Sequence, residues 1–287
     1  QNKKENWEKL LYASREKRKK PRLDDKCLTS WNALMLKGFV DAYKAIGTEE
    51  YLNIALKNAD FIIGNLWTPE GNLLHNHKNG KNTINGYLED YCFVIEAFIS
   101  LYETTLDEKW LQNSKQLTDY CFDHFYEPAS GFFTFTSDID TALITKHYEL
   151  EDNVIVASNS AMANNLYKLG IYFENSYYEA VAQKMLNHIL PNIDYPSAFS
   201  NWLHAFLNFS DSNKELAVCG ENALENIHLL QKEYLPDVVL AGTYKPSELP
   251  FLKARLEKGK DLFYLCQNKT CEQPLEDIIS ILNAIKS

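Results

Sequence analysis

The sequence predicts an all-α fold of the α/α-toroid type, and three observations carry that prediction. A two-helix unit recurs from Thr29, Leu88 and Ala157, each time a nearly all-apolar helix, a tight break and an amphipathic helix. The breaks fall at 45–51, 104–110 and 172–178, with aromatic anchors Tyr51, Trp110 and Tyr178 that stand 59 and 68 residues apart. Such a period belongs to stacked helical hairpins, each burying one face on its neighbour. Secondly, the two helices of a unit differ in polarity. Residues 92–101 read Cys-Phe-Val-Ile-Glu-Ala-Phe-Ile-Ser-Leu, apolar almost all round, whereas 49–65 alternates Tyr51, Leu52, Ala55, Leu56, Ala59 and Ile62 with polar residues. The first helix is therefore inner and the second outer. Thirdly, an acid pair precedes each inner helix: Asp24-Asp25, Glu89-Asp90 and Glu151-Asp152.

The elements follow in order. A first helix over 6–20 ends at Pro21, which cannot continue it. Helix 29–46 carries Trp31, Leu34, Met35, Phe39, Ala42 and Ile46 at helical spacing. The link 71–84 contains Asn79-Gly80, a two-residue hairpin turn, and 131–149 runs out through Gly-Phe-Phe-Thr-Phe-Thr and back through Thr141–Thr145. Both read as β-hairpins on one rim. A third helical hairpin covers 157–190, and 198–209 starts a fourth. Short strands at 216–219 and 237–242 flank a helix over 221–234, and 275–286 is a closing amphipathic helix. A closed toroid needs six hairpins, so we expect an incomplete one. The chain is expected to be one domain over 1–287, the C-terminal part of a longer protein, with 211–287 as a mixed α/β closing segment.

Charge and composition exclude several classes. A net charge of −10 over 287 residues opposes binding to nucleic-acid phosphates. The basic run Arg15–Arg22 reads as the solvated end of the first helix. No apolar run approaches the roughly 20 residues of a membrane span. The six cysteines are scattered through a chain too large to need staples, which fits a reducing, cytoplasmic home. Cys266 and Cys271 form the one close pair, and Cys27 has no histidine beside it in sequence. No HExxH, GxSxG or GxGxxG pattern is present. We expect no metal and no organic cofactor.

The candidate chemistry lies in the acid pairs. Inner helices of a toroid run parallel, so their N-termini open at one mouth. Asp25, Asp90, Asp152 and Glu89 are the candidate catalytic acids, because sugar hydrolysis or epimerisation needs carboxyls in unequal environments. Trp31 and Tyr91 offer flat faces for a sugar ring, while Asp24, Asn32, Asn159 and His77 offer hydrogen bonds to its hydroxyls. His75 and His77 flank Asn76 on the first rim hairpin as candidate bases. The same acids also suit plain helix capping, worth about 0.3–1 kcal/mol each. Spacing leaves the two readings level.

At Pro21 through Met35 (Pro-Arg-Leu-Asp-Asp-Lys-Cys-Leu-Thr-Ser-Trp-Asn-Ala-Leu-Met) the chain resembles a known family. Its members join an N-terminal thioredoxin-like domain to a six-hairpin, glycosidase-like toroid, and include the spermatogenesis-associated thioredoxin-domain protein of animals and its bacterial relatives. The match continues at Gly86–Tyr91, Gly131-Phe-Phe, Asp152–Ser160 and Cys266-x4-Cys271-x2-Pro274. The resemblance implies kinship of fold with N-acylglucosamine epimerases and six-hairpin glycosidases. Two functions are then expected as alternatives: a glycosidase- or epimerase-like site for a small carbohydrate, or a non-catalytic toroid that binds partners or presents substrates to the thioredoxin-like domain of the longer protein. Val156-Ala-Ser-Asn-Ser160 departs from the family's Pro-Ser-Gly-Asn-Ser. Exposed inner-helix surface on a half-toroid would further favour a homodimer.

Overall fold

The computed structural model describes residues 2–286 except Thr83, Ala142, Leu143, Asp211 and Ser212. Helix α1 (Asn2–Glu16) buries none of its residues, and an extended segment leads from it to strand β1 (Cys27–Leu28). Three helical hairpins follow: α2 (Thr29–Ile46) with α3 (Glu49–Asn65), α4 (Leu88–Thr105) with α5 (Lys109–His124), and α6 (Ser158–Tyr172) with α7 (Ser176–Ile189). Helix α8 (Ser200–Asn208) then packs on α6 as a fourth inner helix. The inner row α2, α4, α6, α8 is built by neighbour contacts in that order, and α3, α5 and α7 each cover their own inner partner. This is the α/α-toroid architecture, with three hairpins and one further inner helix among the described residues.

The sequence explains each layer. Helix α4, apolar nearly all round, is enclosed by neighbours on all sides, with Phe93, Phe98, Leu101 and Tyr102 in the core. The inner helices turn into their outer partners through left-handed residues: Gly47 at φ 77°, Leu106 at φ 55° and Glu174 at φ 48°. Only at the first of these does a glycine remove the steric cost. Trp110 and Tyr178, the anchors after the breaks, are buried against the core, while Tyr51 is half-buried.

Small strands hold the rim. Strand β2 (Asn76–His77) pairs with β1, setting Cys27 opposite His77 and Leu28 opposite Asn76. Asn79 and Gly80, both at positive φ, form the two-residue turn, and Lys78 bridges to Lys81. The cysteine without a histidine in its sequence neighbourhood thus faces one across the ladder. Strands β3 (Tyr126–Glu127) and β4 (Phe132–Phe133) pair with each other. The return strand expected at Thr141–Thr145 falls partly on residues 142 and 143, outside the described residues.

The C-terminal segment is a four-stranded sheet of order β6-β5-β7-β8. Its strands are β5 (Lys214–Cys219), β6 (Val238–Thr243), β7 (Leu262–Gln267) and β8 (Thr270–Cys271). Strands β5 and β6 are parallel, joined through α9 (Ala223–Leu230), and α10 (Ile278–Lys286) closes the segment. The sheet sits at the C-terminal end of the inner helices. The Tyr172 hydroxyl donates to the Leu240 carbonyl (2.9 Å), and Gln231 Nε2 donates to the Glu103 carbonyl (2.7 Å). One end of the row is therefore covered, and the helix N-termini lie at the other. No helix among the described residues is long and apolar enough to cross a membrane.

Candidate functional site

At the N-terminal mouth the β1–β2 pair brings His75 over the starts of α2 and α4. Asp90 stands at the centre with no exposed surface. Its Oδ1 accepts the Ser30 N–H of α2 (2.8 Å), and its Oδ2 accepts the Tyr87 N–H at the start of α4 (2.9 Å). His75 Nδ1 lies 2.9 Å from the same Oδ2. With both oxygens receiving backbone N–H groups, Asp90 is the acceptor. His75 therefore turns Nδ1–H toward it, and Nε2 has no hydrogen-bond partner among the described residues. The Asp90 hydrogen bond pushes the His75 pKa up against partial burial. Burial pushes the Asp90 carboxyl up, and the His75 and backbone hydrogen bonds oppose that.

Glu89 is the neighbouring acid. It is half-buried, and its Oε1 accepts the Ser30 hydroxyl (3.3 Å). Burial, then Asp90 and Glu149, push its carboxyl up. His75, Glu89 and Asp90 present their ligand-type atoms within 4.8 Å of one another. In this geometry His75 Nδ1 and Asp90 Oδ2 face each other at hydrogen-bond distance, and Asp90 already accepts two backbone N–H groups. The set suits an acid–base pair: an imidazole base held by a buried carboxylate, beside a carboxyl that keeps its proton more readily than usual.

The other predicted residues are placed differently. Asp152 is a cap: Oδ1 accepts the Ala157 N–H (2.9 Å) and the Ser160 hydroxyl (3.1 Å), while Oδ2 accepts the Asn201 N–H (2.8 Å). It joins α6 to α8 as Asp90 joins α2 to α4. Tyr91 has no exposed surface; it stacks on Tyr120 at 5.3 Å and accepts the Leu73 N–H, so no ring face is left for a sugar. Asn159, equally buried, accepts the Phe133 N–H and donates to the Phe133 carbonyl, which fixes β4 on α6. Asp25 is exposed and paired with Lys78, and Asp24 with Lys26, both outside the mouth cluster. Asn32 donates to the Leu28 carbonyl. His77 lies against Phe61 with Nδ1 2.8 Å from Asn82 Oδ1. Trp31 keeps an open ring, 64% exposed, in the first turn of α2.

A column of charge runs inward from the mouth, and the sequence reading missed it. Ser30, Lys37 and Lys44 on α2 face Glu89, Glu96 and Glu103 on α4, each pair 59 residues apart. The contacts are Ser30 with Glu89 (3.3 Å), Lys37 with Glu96 (3.9 Å) and Lys44 with Glu103 (3.0 Å). Two parallel helices in fixed register produce this ladder, since a seven-residue step returns nearly to the same helical stripe. The signal was visible: three glutamates at heptad spacing inside an otherwise apolar helix. The environments differ along the column. Burial pushes Glu96 up against Lys37. Burial acts on Glu103 too, but Lys168 (2.7 Å) and Lys44 hold its carboxyl well below the usual range. His204, from α8, is pushed down by burial and by Lys168. A cavity of about 220 Å³ opens on this face, bordered by Lys37, Glu96, Asn164 and His204. A second of about 250 Å³ adjoins it at Lys44, Glu103, Lys168 and His204.

Comparison with known proteins agrees with this architecture. The chain is 25% identical over 290 residues to spermatogenesis-associated protein 20 of Homo sapiens, which covers 93% of this chain and 37% of that protein. The resemblance runs along nearly the whole of this chain and just over a third of that protein. An uncharacterized protein of Caenorhabditis elegans is likewise 25% identical over 286 residues, covering 94% of this chain and 39% of its own. The chain thus spans less than half the length of the curated relatives it matches. Among solved structures, the GH76 α-mannanase of Bacteroides thetaiotaomicron superposes with a TM-score of 0.55 at 14% identity, over 80% of this chain and 65% of the mannanase. That likeness is one of fold. No protein-family model matches the chain.

Proposed function

We propose that the toroid binds a small carbohydrate at its mouth and concave face, and that His75 and Glu89 exchange protons with it, as in a sugar epimerase or isomerase. The observation that carries this reading is His75, held by the fully buried Asp90 beside the raised carboxyl of Glu89. A glycosidase needs two carboxyls free to meet the substrate. Asp90 is committed to two helix N-termini and has no exposed surface, and Glu149, the other carboxylate near Glu89, accepts the Ser158 N–H at the start of α6 (3.1 Å), so the pair we assign to the substrate is one imidazole and one carboxyl. That pair matches proton abstraction beside a carbonyl: His75 Nε2 takes the proton from carbon, and Glu89 gives its proton to the carbonyl oxygen. Within the resulting enediol, His75 returns its proton to the neighbouring carbon while the Glu89 carboxylate takes one back from the second hydroxyl, which completes an aldose–ketose isomerisation. Protonation of the original carbon from solvent on the opposite face, with His75 giving its proton to solvent and Glu89 recovering its own, gives the epimer. Trp31 supplies the open apolar face for the ring, and Lys37, Ser100 and Asn164 supply polar groups deeper in.

The test is solvent exchange. The protein is incubated in heavy water with a panel of reducing mono- and disaccharides, and carbon-bound deuterium is read by NMR. We expect incorporation with at least one sugar, reduced about 10²–10⁴-fold in Glu89→Gln and His75→Gln. A panel with no incorporation in the folded wild-type protein refutes the catalytic reading.

A second reading rests on α2. Trp31, Met35 and Ile46 are 64%, 58% and 64% exposed on a helix whose opposite side is core. Such a stripe supports the partner-binding alternative, with a thioredoxin-like domain or a second copy of the chain as occupant.

A further inference from the structure

The β7–β8 hairpin carries chemistry that the carbohydrate reading leaves unused. Asn268 and Lys269, both at positive φ, make its two-residue turn and set Cys266 opposite Cys271. The two are joined in a disulfide. Their surroundings are unequal: Cys266 is buried, and Cys271 is exposed on the edge strand. Arg255 reaches in from the loop before β7, with Nη1 3.3 Å from each sulfur. Its guanidinium is held between the rings of Phe251 (4.9 Å) and Tyr264 (5.2 Å), and the Tyr264 hydroxyl donates to the Arg255 carbonyl (2.9 Å).

Among the described residues no carboxylate forms an ion pair with Arg255. In the sheet register Glu215 of β5 stands opposite Cys266, and burial pushes its carboxyl up against Lys269 and Arg255. A full positive charge gains little from a neutral disulfide. Beside a thiolate it gains a charge-assisted hydrogen bond. The arrangement therefore favours the reduced state, and the loop it closes is too short to constrain much unfolded chain.

We propose that Cys266 and Cys271 form a dithiol–disulfide exchange site, poised by Arg255 and reached through Cys271, whose substrate is a dithiol. One thiolate of that dithiol attacks Cys271 Sγ. The Cys266–Cys271 bond breaks, and its electron pair leaves on Cys266 Sγ as a thiolate beside Arg255. The second thiolate of the dithiol then attacks its own sulfur in the mixed disulfide and releases Cys271 as a thiolate. Two electrons pass from the dithiol, which becomes a disulfide, to the cysteine pair. The two protons lost by the dithiol go to solvent and to Cys271. A leaving thiolate of lowered pKa leaves faster, so Arg255 accelerates the first step.

The experiment uses the folded protein with Cys27→Ser, which removes the exposed free thiol. Dithiothreitol at neutral pH is the probe. Reduction is followed by alkylation and mass spectrometry of the Cys266 and Cys271 peptides. We expect the pair to reduce without unfolding, about tenfold more slowly in Arg255→Met, with most of the rate restored in Arg255→Lys. In the reduced protein, alkylation of Cys266 has a midpoint below the ordinary thiol value of about 8.5. A pair that yields to dithiothreitol only on denaturation overturns the proposal, as does an unchanged rate in Arg255→Met. Should that variant not fold, a wild-type Cys266 midpoint at or above about 8.5 overturns it alone.

Discussion

Replacing Asp90 with alanine lowers the stability of the protein by about 3–4 kcal/mol, read by urea unfolding. The carboxylate closes the N-termini of two inner helices and fixes His75. Its loss orphans the buried Ser30 N–H and the Tyr87 N–H, at about 1–3 kcal/mol each. Relief of the buried charge returns part of that, since burial already works against the ionised form. Asp152→Ala is the natural control. It opens the α6–α8 junction in the same way, but Asp152 is half-buried, so water reaches the freed N–H groups and the expected loss is about half as large. Equal losses at the two sites would mean that burial does not set the size of the effect.

Glu103→Ala is expected to cost about 3 kcal/mol, because it strands Lys44 and Lys168 around one buried position, while the Tyr172 hydroxyl keeps the Leu240 carbonyl as its acceptor. The pH dependence follows from the direction of its shift. The folded-state pKa lies below the unfolded value of 4.5, so the unfolded chain binds the proton first as pH falls. The contribution is therefore fully present above pH 4.5. Below it, the wild-type advantage over Glu103→Ala shrinks by about 1.4 kcal/mol per pH unit until the folded carboxyl also protonates. Paired urea titrations at pH 7 and pH 3.5 check this. A gap that stays constant would mean that the lysines do not hold Glu103 ionised.

Much of the architecture was legible because inner helices must be apolar all round. The run 92–101 lies inside α4, and the breaks at 45–51, 104–110 and 172–178 fall between paired helices. The mouth was legible in position but not in role. Three acids at equivalent helix starts look alike in sequence, yet Asp90 and Asp152 spend their oxygens on backbone N–H groups of two helices at once. A cap that bridges neighbours cannot be told from a cap on its own helix by spacing. His75 entered the cluster through β1–β2 pairing, a contact between segments 48 residues apart. The Lys–Glu ladder was missed for a different reason. Its heptad step lay on α2 and α4 in plain view, but only their relative register turns two stripes into facing partners. Strand β7 was passed over too, since Leu262–Gln267 is a short apolar run without a periodicity of its own.

The measurement that bears most directly on the carbohydrate site is sugar-dependent thermal stability of three proteins: wild type, Glu89→Gln and His75→Gln. Binding to the folded state alone raises the melting temperature. The mouth reading predicts a rise with at least one mono- or disaccharide for the wild type, lost or strongly reduced in both variants while their unliganded melting temperatures change little. No shift with any sugar, or a shift that survives both substitutions intact, would contradict a site built on His75 and Glu89.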